Sequence, residues 1–373
     1  TFTIAVTMGG APNSPVVKVG DLVLKGQVIA TGDKFMNCPV HASVSGKVTK
    51  IQNCLVTGNS YVPCIVIQSD DSEAQEFLPV LDPFACSKEE ALARIKDAGI
   101  VGMGGASFPA HVKLNPPADK VIDYVLVNAA ECEPYLTCDE RTIIETPNLL
   151  IDGLAIVLKI VNEKALGIIA LEDNKEYVLP ILEEEIKKQN LADKISVCLV
   201  QTKYPQGSEK FIVKSCVDRE IPSGKLPADA GCVICNVGTV CAISEAFRLG
   251  KPLIERALTI SGGGVKNPCN LRVPVGTLIS DLTPAYFEIN ENVAAVETSS
   301  ENNSESASEG EAKASVNGGG SVAAEVKEPV KVISGGPMMG FSMAAINFPF
   351  AKGTSGVTFL TDSEACLTEE SQC

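Results

Sequence analysis

The segment Gly102-Met103-Gly104-Gly105-Ala106-Ser107-Phe108-Pro109-Ala110-His111-Val112-Lys113 places three glycines and a lysine within twelve residues. Glycines let backbone N–H groups close on an anion, and a helix beginning just after them adds the positive end of its dipole. The segment therefore reads as a phosphate cradle built on Gly102, Gly104 and Gly105, with Lys113 as counter-charge. It is not a Walker A loop, which ends in Gly-Lys-Ser/Thr, and its GxGG spacing departs from the GxGxxG of an ordinary dinucleotide fold. The bland alternative is a glycine-rich turn around a core phenylalanine.

About twenty residues on, an apolar run ends at Val127-Asn128 and passes into Ala129-Ala130-Glu131-Cys132-Glu133-Pro134. Polar residues just beyond the carboxyl end of a strand lie where open α/β sheets bind ligands. The Asn128 amide can bridge the donor and acceptor edges of a flavin ring, and Glu131 and Glu133 can accept from ribose hydroxyls or a nicotinamide amide. Against this stands a solvated acidic turn.

Three kinds of element have to position these groups. Residues 1–86 carry short Val/Ile-rich runs at 2–6, 16–19, 23–24, 28–30, 43–50 and 64–68, divided by Gly and Pro turns, and read as a small β domain. Two hairpin signals, at Val19–Gln27 and Ser45–Val48, give it the pseudo-repeat of a barrel-sandwich hybrid. Biotinyl and lipoyl carriers share that shape, but the flanks of Lys34 are wrong for a carrier lysine, so an unmodified barrel is expected. Residues 87–255 alternate helices with apolar strands as an α/β domain should. Helical periodicity covers 87–98, where Ser87 and Glu90 form a capping box, and 148–161, 175–189 and 208–214; strands are expected at 124–128, 165–170, 195–200 and 232–236. Residues 291–328, with eight carboxylates and two lysines and almost no large apolar side chain, are expected to be disordered.

Composition excludes some partners. A net charge of −15, from 46 acidic and 31 basic residues, offers no basic face for nucleic acid. The longest apolar stretch, Leu149–Val161, is broken by Asp152 and Lys159 and is too short to span a bilayer, so membrane association is expected to come through partners. Fourteen cysteines spread along a chain of this size read as reduced thiols, which places it in the cytoplasm. Cys232 and Cys235 form a CxxC, but on a strand residues three apart face opposite ways, which argues against chelation. His41, with no Cys/His cluster around it, is expected to be structural.

The glycine loop and the Asn128–Arg141 segment together resemble the flavin-binding core shared by the C subunit of the Rnf complex and the NADH-oxidising flavoprotein subunit of respiratory complex I. The likeness runs on through Leu171-Glu172-Asp173-Asn174-Lys175, Lys203–Lys210, Ile221–Asp229, Asn236-Val237-Gly238-Thr239, Gly250–Arg256, Ser334–Gly340 and Lys352–Gly356. The amino-terminal barrel favours the Rnf type. The resemblance implies a multidomain α/β protein: a barrel-sandwich hybrid, a central Rossmann-like FMN/NADH-binding domain, and a β-grasp-like (SLBB-type) module over 256–290 and 329–345. It implies that Gly102, Gly104, Gly105 and Lys113 hold the flavin phosphate and ribityl groups. Asn128 would contact the isoalloxazine, and Asn236 and Thr239 would close the flavin site. Phe108 would stack on the nicotinamide nucleotide, with Glu131, Glu133 and Glu209 as further NADH contacts.

By the same resemblance NADH gives a hydride to FMN, and electrons pass on to iron–sulfur clusters and a redox partner, whether another subunit, a reductase or a ferredoxin. No side chain need then be an acid or base. The alternative is a docking or scaffold subunit that keeps the fold without nucleotide. Ser107 stands where the complex I type has glycine, which points to a divergent branch such as the Rnf C-like electron-transfer proteins associated with proline reductase and other amino-acid reductases in anaerobes. In the Rnf C family a segment like 346–373 leads into the CxxCxxCxxxCP runs of two [4Fe-4S] clusters. Cys373 would be a first ligand only in a longer chain, so the sequence is expected to stop short of its iron–sulfur domain and to hold no cluster itself.

Overall fold

A computed structural model describes residues 1–286 and 331–365. The acidic stretch 291–328 and Cys373 lie outside the described residues.

The chain opens with seven strands: β1 (Phe2–Ala5), β2 (Ser14–Pro15), β3 (Leu22–Val23), β4 (Val28–Thr31), β5 (Val40–His41), β6 (Gly46–Val56) and β7 (Ser60–Ser69). They form two sheets, ordered β1-β7-β6-β3 and β2-β4-β5, around a shared core that includes Ile4, Ile29, Val40, Ile65 and Ile67. The run expected as a strand at 16–19 is instead largely exposed and irregular: only Val16 N bonds across, to Ile29 O, and Lys18 closes a turn with Asp21. Lys34 is exposed in a turn whose closure depends on Asn37: Oδ1 accepts from Lys34 N at 2.6 Å while Nδ2 donates to Ala11 O, Pro12 O and Asn13 Oδ1.

Next come α1 (Lys88–Asp97), the single turn α2 (Ala110–Lys113), β8 (Tyr124–Ala129), α3 (Cys138–Glu145), α4 (Pro147–Val161), β9 (Leu166–Glu172), α5 (Leu179–Lys188), β10 (Ile195–Val200), α6 (Glu209–Val217), β11 (Cys232–Asn236) and α7 (Val237–Arg248). The Ser87/Glu90 capping box opens α1 as the sequence predicts. The four strands are parallel in the order β10-β9-β8-β11. The chain works outward from β8 to β10 and then returns to the other side of β8, so the topological switch lies between β8 and β11. One face packs on α1, α4, α5 and α7 through Val125, Val127, Leu154, Val157, Val240 and Phe247; the other packs on α6 through Leu126, Ile212 and Val213. Cys232 belongs to the second of these cores and Cys235 to the first, the opposed arrangement that strand geometry requires.

The last sheet contains β12 (Glu255–Ser261), β13 (Cys269–Pro274), β14 (Lys331–Ser334), β15 (Phe341–Met343) and β16 (Gly356–Leu360), with α8 (Ile279–Tyr286) beside it. Its order is β13-β12-β16-β14-β15. This alters the sequence-based boundary, since 356–360 falls in the expected lead-in yet forms the central strand, paired parallel to β12 and antiparallel to β14. All five residues of β16 are buried, as a strand covered on both faces demands.

Lys352 joins the three parts. Its side chain is buried, and Nζ donates to Pro39 O at 2.8 Å and to Gly99 O at 2.7 Å. His41, beside it, is also buried, and neither ring nitrogen has a partner among the described residues. Burial, with Lys352 adding to it, drops the imidazole pKa to about 3.

Candidate functional site

Asn128, one residue before the end of β8, and Asn236, the last residue of β11, are register partners on either side of the switch point. Each amide is anchored. Asn128 Nδ2 donates to Gly207 O at 2.8 Å and its Oδ1 accepts from Ala130 N at 3.2 Å, fixing the 203–208 loop against the strand end. Asn236 is the N-cap of α7, with Oδ1 accepting from Gly238 N at 2.9 Å, and Nδ2 donates to Asp139 Oδ2 at 2.5 Å.

The glycine loop leaves and re-enters the fold at the bridge pair Val101 and Pro109. Gly102 N donates to Phe108 O at 2.8 Å, which closes the loop at its base. Met103 N donates to Thr239 Oγ1 at 2.9 Å, so Thr239 ties the loop to the first turn of α7. Beyond that point the backbone winds as a turn over 103–106, and the N–H groups of Gly104, Gly105, Ala106 and Ser107 make no close hydrogen bond among the described residues. A Cβ built on Gly104 would lie 3.6 Å from Asn236 Cβ, and one on Gly105 would meet nothing within 4 Å. Backbone donors without close partners, next to the open space at Gly105 and at a switch point, are what an anion nest requires. The following helix adds little, because α2 is one turn long and cannot sum a dipole.

Lys113 ends that turn, and its Nζ lies 2.8 Å from Oε1 of Glu209, the first residue of α6. Phe108 is 42% exposed, a free aromatic face at the loop. Ser107 has φ of 49°, in the left-handed region. It is wedged between two glycines of other parts of the fold: a Cβ on Gly9 would lie 2.0 Å from Ser107 O, and one on Gly353 would lie 2.2 Å from Ser107 Oγ.

Glu131 and Glu133, expected to face a nucleotide, are committed within the chain. Glu131 Oε1 accepts from Asp139 N at 3.0 Å and Oε2 from Glu140 N at 3.3 Å, so its carboxylate caps α3 in place of Thr137, whose side chain makes no capping bond. Glu133 accepts from Met338 N at 3.1 Å and Met339 N at 2.6 Å, clamping the turn after β14 onto the α/β unit. The acidic turn thus positions backbone.

Charges to which the sequence reading gives no role lie beneath this turn. Lys175 Nζ is 3.4 Å from Glu131 Oε2 and 3.8 Å from Glu172 Oε2, and Arg256 donates from Nη2 to Met103 O at 3.0 Å under the glycine loop. Burial, joined by the Glu131 charge, lifts the Asp139 carboxyl pKa to about 7 against the opposing pull of Arg256. Among the described residues the one group of side chains able to converge on a metal is Glu131, Cys138 and Asp139, with Lys175 bonded to Glu131. A [4Fe-4S] cluster requires four thiolates, and this group offers one.

The arrangement fits a flavin nucleotide. The residues are of the kinds such a nucleotide needs: loop N–H groups and a lysine for a phosphate, two amide side chains at neighbouring strand ends and an exposed aromatic ring.

Residues 95–245 match the family described as the Nuo51 FMN-binding domain, and residues 3–72 match the RnfC barrel sandwich hybrid domain. The chain is 42% identical over 367 residues to the C subunit of the proton-translocating ferredoxin:NAD(+) oxidoreductase complex of Clostridium ljungdahlii, an alignment covering 98% of this chain and 71% of that protein. It is 38% identical to the C subunit of the Na(+)-translocating ferredoxin:NAD(+) oxidoreductase complex of Acetobacterium woodii, covering 98% of this chain and 74% of that protein. To the C subunit of the ion-translocating oxidoreductase complex of Rhodobacter capsulatus it is 35% identical, covering 98% and 63%. Among solved structures, a chain of NAD+-reducing [NiFe]-hydrogenase in the H2-reduced state aligns with a TM-score of 0.51 at 20% identity, over 74% of this chain and 47% of that one, a likeness of fold.

Proposed function

This chain belongs to the family of C subunits of Rnf-type ion-translocating oxidoreductase complexes, and from that premise we propose that it binds FMN at the β8/β11 switch point and uses it to oxidise NADH. The observation that carries the proposal is the set of N–H groups at Gly104–Ser107 without close partners, with Lys113 ending the helical turn that follows. When bound, FMN supplies the exchange between a two-electron hydride and single electrons. The residues do the rest. Lys113 and the loop amides hold the phosphate, Asn128 and Asn236 fix the ring edge, and Phe108 stacks on the nicotinamide nucleotide. Gly102 and Thr239 keep the loop in the shape that exposes its amides. Iron–sulfur clusters, each of which four thiolates would have to hold, would take single electrons from such a flavin on the way to another subunit, a reductase or a ferredoxin. No helix among the described residues is long and apolar enough to cross a membrane. We place the chain on the cytoplasmic side, held to the membrane by its partner subunits, with a β-grasp-like (SLBB-type) module built on β12–β16.

An absorbance spectrum before and after adding FMN, and again after NADH, tests this reading. Bound yellow flavin that bleaches with NADH is the expected result; a protein that takes up no FMN and shows no diaphorase activity overturns it. A second reading, a docking subunit without nucleotide, is favoured by the Glu131 and Glu133 carboxylates being occupied and by the serine at the positive-φ position 107.

A further inference from the structure

Five ionisable side chains are shut beneath the cleft: the carboxylates of Glu131, Asp139 and Glu172 and the cations of Lys175 and Arg256, each at least nine-tenths buried. Three carboxylates face two cations. A surplus charge in a water-poor interior is expensive, and a carboxylate so placed takes up a proton instead.

Contact with the one ammonium of this cluster selects which carboxylate takes it: Lys175 lies against Glu131 and Glu172, and no ion pair reaches Asp139 among the described residues. Glu131 receives two backbone N–H groups and the Lys175 ammonium, so both its oxygens have partners. Glu172 has Oε1 buried with no partner among the described residues, but its Oε2 lies 3.8 Å from the Lys175 ammonium. Asp139 has Oδ2 on the Asn236 amide, while Oδ1 is buried with no partner among the described residues. Around it stand Glu131 and Cys138 on its own segment, Lys175 on the turn after β9, Cys241 on α7 and Arg256 on β12. Burial and the Glu131 charge work to protonate it; Arg256, the Asn236 bond and Lys175 work against this.

We infer that Asp139 carries the proton that neutralises this buried cluster, and that its occupancy follows the charge of a nucleotide in the cleft through Asn236. Asn236 links the two, bonded to Asp139 on one side and next to Gly104 of the loop on the other. Negative charge entering the cleft tightens the hold of Asp139 on its proton, and a proton drawn from solvent converts the remaining carboxylate fraction to the acid. The coupling rests on the flavin reading; the proton on Asp139 in the ligand-free protein does not.

Infrared difference spectra of the whole chain, titrated across neutral pH without ligand, test the first part. The expected signal is the C=O stretch of a buried protonated carboxyl that fades as pH rises through neutrality. It should shift on carboxyl-13C labelling of aspartate but not of glutamate, vanish in Asp139→Asn and move its midpoint to lower pH in Glu172→Gln, which leaves two carboxylates against two cations. Isotope labelling needs no variant, so a misfolded Asp139→Asn protein leaves the test intact. No such band, or one that moves with glutamate label, overturns the inference. With FMN added, the midpoint should rise, and FMN should bind several-fold more tightly below it than above it, a dependence lost in Asp139→Asn. FMN that binds while the band stays put overturns the coupling, whereas FMN that fails to bind at any pH overturns the cofactor reading and leaves the ligand-free band to decide Asp139.

Discussion

Lys113 Nζ and Glu209 Oε1 stand 2.8 Å apart, so the cation beside the glycine loop and the acid that opens α6 neutralise one another. Their side chains are 34% and 44% exposed, and a pair so wet adds only about 0.2–1 kcal/mol to stability. Its weight falls on binding, because a phosphate arriving at the loop competes with Glu209 for the lysine. Glu209→Gln should tighten FMN several-fold and weaken NADH, while Lys113→Met should weaken FMN roughly tenfold or more, the loss of one charge-assisted bond. Fluorescence titration of FMN reads both. Equal affinities in the two variants would remove Lys113 from the phosphate site.

Ser107 holds a left-handed backbone that an L-residue adopts at a penalty of roughly 1–2 kcal/mol and glycine adopts freely. Ser107→Gly removes that strain but loosens the unfolded chain, so the net gain in stability should be at most about 1 kcal/mol. The informative measurement is flavin affinity. An unchanged dissociation constant fits a serine already compatible with binding, and a large gain would support the scaffold reading, in which this position has drifted from use.

The strands of the α/β unit, the capping box of α1 and the glycine loop could be read from the chain because local pattern determines them. The acidic turn was opaque for a physical reason. Glu131 and Glu133 look like ligand-facing carboxylates in sequence, yet their partners are backbone N–H groups at 139–140 and 338–339, a distance no local pattern encodes. Asp139, Lys175 and Arg256 were missed likewise, each ordinary in its own segment and significant only once three elements bring them together. The strand Gly356–Leu360 was hidden by the glycines and polar residues before it, and only its place between β12 and β14 makes it central.

Two buried groups give stability opposite pH dependences. Asp139 has a folded pKa of about 7 against an ordinary carboxyl value of 3.8. Between these values the folded chain keeps a proton the unfolded chain has lost, so stability falls as pH rises through this window and is lowest above it. His41 goes from 6.5 unfolded to about 3 folded. Its neutral form is protected only in the folded state, so stability falls as pH drops from 6.5 towards 3. Urea unfolding of Asp139→Asn should therefore lose the decline towards alkaline pH while keeping the acid limb. A wild-type profile that is flat from weakly acidic to weakly alkaline pH would count against the buried acid.

Lys352 offers the sharpest test of how the parts cooperate. Its ammonium is buried without a carboxylate and is held by two carbonyls, Pro39 O of the barrel and Gly99 O of the α/β unit; desolvation lowers its pKa, with Cys38 opposing. Lys352→Met keeps the length of the stem but strands both carbonyls, at about 1–3 kcal/mol each. Arginine should not rescue it, because space around the tip is tight: a Cβ on Gly99 would already lie 2.7 Å from Lys352 Nζ and 3.1 Å from His41 Cε1. Since Ser107 is wedged between Gly9 and Gly353, loosening this junction should also relax the glycine loop. The expected outcome is a global loss of about 2–4 kcal/mol in urea unfolding, faster proteolysis between the barrel and α1, and weaker FMN binding even where the variant remains folded. If the junction opens to protease while FMN affinity is unchanged, the loop owes its shape to Thr239 and Phe108 alone, and the barrel is a neighbour of the site without being part of its support.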